Sequence, residues 1–240
     1  MISVLKKELR AFFSNATGYI VIGSFLTITG LFLWVSLGEY NVMDNGYANV
    51  DGLFYLAPWL FLFLCPAVTM RLFAEEKQTG TWEILITKPL SKSQLVLGKY
   101  FAAWLLVLVA LLPVILYYFS VSYLAEPVGN VDSGAFWGSF IGLIFLAAVY
   151  VAVGIFASAL SSNQIISFIV AVVISFFLFY GFEVLTGFFT SGQSIQLLDM
   201  LGIHAHYKSM SRGVIDSRDI VYFILLGSVF LSATVWRVKK

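Results

Sequence analysis

Charge is scarce in this sequence. Of 240 residues only 11% are Asp, Glu, Lys or Arg, whereas 60% are apolar and 17% aromatic. A soluble domain carries about twice that charged fraction to wet its surface. A water-coated globule is therefore excluded, and lipid must cover much of the chain. Net charge is equally scarce: the formal value of +1 leaves no basic footprint for nucleic acid. A single cysteine, Cys65, excludes an intrachain disulfide and, set in an apolar run, reads as a small packing residue. There is no G-x-x-x-x-G-K-[ST] phosphate loop, because Gly98-Lys99 is followed by Tyr100 and lacks the upstream glycine. The chain is thus expected to be no enzyme and to bind no cofactor directly; any ATP that drives it sits on another subunit. No Ser-His-Asp or G-x-S-x-G arrangement supplies a nucleophile. His204 and His206 offer two ligands at i,i+2 spacing with no clear third, which argues against a metal site.

What the sequence has in abundance is long apolar runs. About 20 apolar residues in a helix cross a hydrocarbon core of roughly 30 Å. Residues 18–37, 53–70, 101–124, 135–160, 165–182 and 220–236 qualify, and none contains a charged side chain. The fold class expected is an all-α integral membrane protein with six spans in a single transmembrane domain, 1–240. Pro113 should kink the third span. Gly138, Gly142, Ala147, Ala148, Gly154 and Ala157 give the fourth span small residues suited to close helix packing. Lys6, Lys7, Arg10, then Arg71, Lys77, Lys88, Lys92 and Lys99, then Arg237, Lys239 and Lys240 all fall on one side of these spans. The positive-inside rule places that side, with both termini, in the cytoplasm. The first run is too long for a cleaved signal and lacks a small-x-small site after it, so an uncleaved span is expected.

Three segments between the spans carry more than connection. Residues 1–13 place Ile2, Leu5, Leu9, Phe12 and Phe13 on one helical face and Lys6, Lys7 and Arg10 on another. That pattern predicts an interfacial helix offering cations to anionic lipid headgroups. In the loop 71–100, Gly80 should end the helix leaving the second span. A short helix restarts at Thr81, whose hydroxyl can cap it, with Glu83 in its first turn and Pro89 closing it. Ser91 with Gln94 forms a capping box that launches a helix into the third span. Trp82, Ile84 and Leu85 then face a partner or pack on the chain's own helices. Between the fifth and sixth spans, Leu185–Phe189 and Ile195–Leu201 are apolar but too short to span and read as re-entrant or interfacial helices. Arg212 and Asp216 can pair at i,i+4, and Arg218 can pair with Asp216 or Asp219. Glu183, at the outer edge of the fifth span, reads as a solvated helix end or a functional acid.

Glu75-Glu76-Lys77, Gly80-Thr81, Glu83, Pro89 and Gly98-Lys99, placed after the second span, resemble the pattern of ABC-2 type permease subunits. The run Ser211-Arg212-Gly213-Val214-Ile215-Asp216-Ser217-Arg218-Asp219, with Tyr222-Phe223, is similar to one branch of that family. That branch includes permeases linked to gliding motility and to copper-enzyme maturation, and the whole chain is most similar to the gliding-motility permease. The resemblance implies a bacterial inner-membrane permease, partnered by a cytoplasmic ATP-binding-cassette ATPase. A second membrane subunit with an external domain, or a second copy of this chain, would complete it. It makes Glu75, Glu76, Gly80, Thr81, Trp82, Glu83 and Pro89 the coupling residues. Glu183, His204, His206, Arg212, Asp216, Arg218 and Asp219 become external gate candidates. The alternatives are a force-transmitting component that exports nothing, driven by the same ATPase, and an ion-coupled secondary transporter. The last predicts charges deep in the spans.

Overall fold

The computed structural model describes residues 1–44, 46–87, 90–189 and 192–239. In chain order the helices are α1 (Ile2–Ser14), α2 (Ala16–Trp34), α3 (Asp51–Thr69), α4 (Arg71–Gln78), α5 (Thr81–Ile86), α6 (Lys92–Leu111), α7 (Val114–Leu124) and α8 (Ser133–Leu160). There follow α9 (Gln164–Phe176), a π-helical turn (Phe177–Gly181), α10 (Phe182–Thr186), α11 (Gly192–Asp199), α12 (Ile203–Met210) and α13 (Ser217–Lys239). No strand occurs among the described residues.

Among those residues, six helical stretches are long and apolar enough to cross a membrane: Ala16–Trp34, Asp51–Gln78, Lys92–Leu124, Ser133–Leu160, Gln164–Thr186 and Ser217–Val238. Each apolar run read from the sequence falls on one of them, with shifted ends. The first helix stops at Trp34 rather than residue 37, where Leu31 O accepts from both Val35 N and Ser36 N, the second an i→i−5 bond that closes the helix end. The third begins at Lys92 rather than residue 101, since the Ser91 capping box forms: Ser91 Oγ accepts from Gln94 N and Gln94 Oε1 from Ser91 N. Pro113 divides α6 from α7, as its missing N–H requires.

The bundle is wound around α8, which packs against α3, α4, α6, α9, α12 and α13. Of its span 72% is buried, against 22% for the spans containing α9 and α13, so α8 is the core and those two are its rim. Asp132 caps its start by accepting from Ala135 N. The glycines of α8 sit where neighbours press closest. Gly154 lies against the Thr69 side chain of α3, and Gly142 against the Tyr207 ring of α12. A larger residue at either place would push its partner away. On the rim, Ile165, Ile169 and Val173 of α9 and Ile224, Leu225 and Val229 of α13 point outward, exposed. Such faces need an apolar solvent.

Candidate functional site

One end of the bundle collects α1, α4, α5, the start of α6, and the ends of α8 and α13. Here α4 continues α3 beyond a break at Met70, and α8 supplies the repair. Ser158 Oγ donates to Met70 O at 2.8 Å and accepts from Phe73 N and Ala74 N at 3.0 and 3.1 Å. One buried hydroxyl thus satisfies the carbonyl at the break and two of the free N–H groups of the new helix. Lys77 adds a hydrogen bond to Ala159 O. The stub α4 is therefore anchored to the core helix rather than swinging from α3.

The strongest polar feature of this end is a buried ion-pair cluster. Lys99 of α6 is 1% exposed, and its ammonium donates to Glu8 Oε1 at 2.9 Å, Glu76 Oε1 at 2.8 Å and Leu72 O at 2.7 Å. All three N–H donors of the ammonium are used. Lys7 reaches the same Glu76 oxygen at 3.2 Å and Glu8 at 3.4 Å, so two cations face two carboxylates. Partial burial works against the Lys7 charge, but Glu8 and Glu76 outweigh it and hold its pKa above the ordinary value. The cluster ties α1, α4 and α6 into one body. Arg71 reinforces it, donating to Thr17 Oγ1 at 3.1 Å with its guanidinium 4.6 Å from the Phe12 ring centre.

Sequence reasoning missed this cluster. It counted Lys99 as a loop cation and passed over Glu8. The available signal was that Glu8 shares the i,i+4 face of Val4 and Phe12, which is the face α1 buries. The apolar face read from the sequence is accordingly corrected: Phe12 turns into the protein. Ile2 and Phe13 stay exposed, Leu5 and Leu9 half-buried, and Lys6 and Arg10 lie in the open.

Beyond the stub, Gly80 adopts φ +72°, a left-handed conformation that ends α4 and that other residues enter only with strain. Gly80, not Thr81, occupies the cap of α5. Thr81 Oγ1 turns back to donate to Glu76 O at 3.4 Å, so the expected hydroxyl cap is absent. Trp82 is half-buried, its ring edge-on to Phe73 at 5.7 Å, and Leu85 also leans on the core. The residues turned outward are Glu75, Glu83 and Ile84, the last 64% exposed. Pro89 and Lys88 lie outside the described residues.

At the opposite end, the two histidines part company. His204 Nδ1 lies 3.0 Å from Glu183 Oε2. His206 Nδ1 lies 2.7 Å from Asp219 Oδ1 and its Nε2 2.9 Å from Met200 O, with the ring stacked 3.9 Å from Tyr222. They do not converge on a common point; each fastens α12 to a different neighbour, α10 or α13. The expected Arg212–Asp216 pair does not form, because 214–216 is not helical. Asp216 instead accepts from the Arg218 backbone N at 2.8 Å, ahead of α13. Among the described residues no ion pair joins Arg218 to Asp216 or Asp219.

Tyr207, directly after His206, makes the least expected contact. Its hydroxyl donates to Phe54 O at 2.9 Å. That carbonyl would ordinarily accept from the residue four later, which is Pro58 and has no N–H. α12 thereby supplies the donor that Pro58 denies to α3. No pattern local to either segment announces it.

A bundle whose rim helices turn apolar side chains outward along the length of the spans is the architecture of a polytopic membrane protein. Residues 34–199 match the family model described as ABC-2 family transporter protein, more than half of the chain, and the chain belongs to that family. The matched stretch runs from the last residue of α2 to the last of α11. It takes in the stub, α5 and Glu183, and stops before residues 204–219. No curated protein shows a significant match to the chain.

Proposed function

We propose that this chain is the membrane subunit of an ATP-binding-cassette transporter and that α5 is the contact through which a separate ATPase moves it. The reading rests on family membership and on one structural observation. The Lys99–Glu8–Glu76 cluster, with the Ser158 anchor, makes α1, α4, α6 and α8 a single body beneath which α5 hangs, turning Glu83 and Ile84 outward. A push on α5 is carried into the third and fourth spans without bending α4.

The finer features follow from the same reading. The end bearing Lys6, Arg10, Arg71, Lys77, Lys92, Lys99 and Arg237 is cytoplasmic by the positive-inside rule, so both termini lie inside. The membrane is the bacterial inner membrane. α1 lies at the interface, with Ile2, Leu5, Leu9 and Phe13 toward lipid and Lys6 and Arg10 toward headgroups. α10 and α11 are the outer re-entrant pieces. A second membrane subunit, or a second copy, completes the transporter, and the gliding-motility resemblance gives its physiological setting. The chain itself binds no nucleotide and catalyses nothing; ATP acts through the partner. Nucleotide biases the permease only to the extent that its two conformations dock the ATPase with different affinity.

Co-purification tests this. The wild-type chain, extracted in mild detergent from its native host, should retain a stoichiometric ATPase. Glu83→Lys with Ile84→Asp should lose at least about tenfold of it while eluting at the same volume. Retention of the ATPase by that variant would remove α5 as the docking element.

A further inference from the structure

At the end away from the Lys99 cluster, α3, α8, the π turn and α12 line a cavity of about 330 Å³. This lies near the lower limit of ligand pockets, which run roughly 300–1,000 Å³. Its walls are aromatic: Tyr55 and Trp59 from α3, Phe179 and Tyr180 from the π turn. Trp59 stands 5.9 Å from the Phe179 ring centre and 5.8 Å from that of Tyr180, yet is 40% exposed, and Tyr55 is 69% exposed. The π turn is part of this construction, for the extra residue per turn shifts the ring register of the fifth span just where the wall is built.

The rim carries charge without internal partners. Lys208 and Arg212 both line the cavity, and among the described residues neither makes an ion pair. Three acids of this end are otherwise engaged: Glu183 by His204, Asp219 by His206, Asp216 by a backbone N–H. Lys208 also borders a smaller cleft with Glu183 and Asp199, but no ion pair joins it to either. Asp51 shares the main rim with Asp132 near it, but neither carboxylate forms an ion pair with Lys208 or Arg212. An aromatic wall left bare beside two unpaired cations is complementary to a molecule with a flat or chain-like apolar body and an anionic head.

We infer that this cavity binds an amphiphilic anion, its apolar body against Trp59, Tyr55, Phe179 and Tyr180 and its carboxylate, sulfonate or phosphate at Lys208 and Arg212. This deepens the transport reading by naming a ligand class and rests on it only for the consequence that the ligand is cargo. The binding itself needs no ATPase. A free amphiphile and the headgroup end of an anionic lipid share this chemistry.

The test uses the chain alone in phosphatidylcholine nanodiscs, without nucleotide, titrated calorimetrically with 2-naphthalenesulfonate, neutral 2-naphthol and a naphthyl-trimethylammonium cation. The sulfonate should bind at least about tenfold tighter than the other two. Lys208→Gln with Arg212→Gln should abolish that preference, and Asp51→Asn should strengthen sulfonate binding, which also shows that the rim tolerates substitution. If phosphatidylglycerol in the disc displaces the sulfonate, the natural occupant is lipid; if it does not, a free amphiphile is the occupant, and both results uphold the site. Equal binding of all three probes, or a preference that survives loss of both cations, overturns it. Either result leaves the α5 docking test standing on its own.

Discussion

A single proline explains why a tyrosine 149 positions further along the chain is buried. Pro58 leaves Phe54 O without its helical donor, and Tyr207 supplies the hydroxyl in its place at 2.9 Å. Losing the hydroxyl leaves a buried carbonyl unpaired, at a cost of about 1–3 kcal/mol. Tyr207→Phe should therefore lower the unfolding midpoint in detergent, and Pro58→Ala, which restores an N–H, should shrink that loss. Full additivity of the two substitutions would contradict the assignment. Burial, and then Tyr55 nearby, push the Tyr207 phenol well above its ordinary pKa. The native chain keeps this proton where the unfolded chain gives it up, so its stabilising share is intact below about pH 10 and falls as pH rises beyond. Tyr207→Phe should flatten that alkaline decline.

Among elements, the decisive link is the one joining α1, α4 and α6. Removing the Lys99 ammonium strands Glu8 and Glu76 in a nearly dry site, and breaking a buried pair costs about 3–5 kcal/mol. Lys99→Met should lower the unfolding midpoint sharply, whereas adding Glu8→Gln and Glu76→Gln should recover part of it, because no buried charge is then left unpaired. A triple variant less stable than Lys99→Met would mean that the cluster is not what binds the three helices. The same comparison explains what was legible beforehand. Gly80, Pro113 and the Ser91–Gln94 box act through their own backbones, so their effects could be read within a few residues. Glu8 with Lys99, and Tyr207 with Phe54, depend on which helices become neighbours. Which of its two expected surroundings Trp82 takes was not legible for the same reason: its half-burial depends on Phe73, which the loop sequence alone does not place beside it.

For the whole molecule, six apolar runs and the bias of lysine and arginine were enough to anticipate a polytopic bundle. They did not reveal that α8 is its axis or that the stub below α3 is fixed to α8 through Ser158. That fixation holds the stub to the core helix. It also separates the two candidate regions: the matched family segment contains α4 and α5, while Lys208 and Arg212 lie beyond it. The proposed ATPase contact lies at one end of the bundle and the proposed anion cavity at the other, so they should respond to different partners. The transport reading proposed above stands or falls on whether an ATPase seats on α5. Amide hydrogen exchange of the reconstituted chain, with and without the co-purified ATPase, tests it most directly. Protection confined to residues 75–87, with 192–212 unchanged, is the predicted result; protection elsewhere with 75–87 unaltered would contradict it.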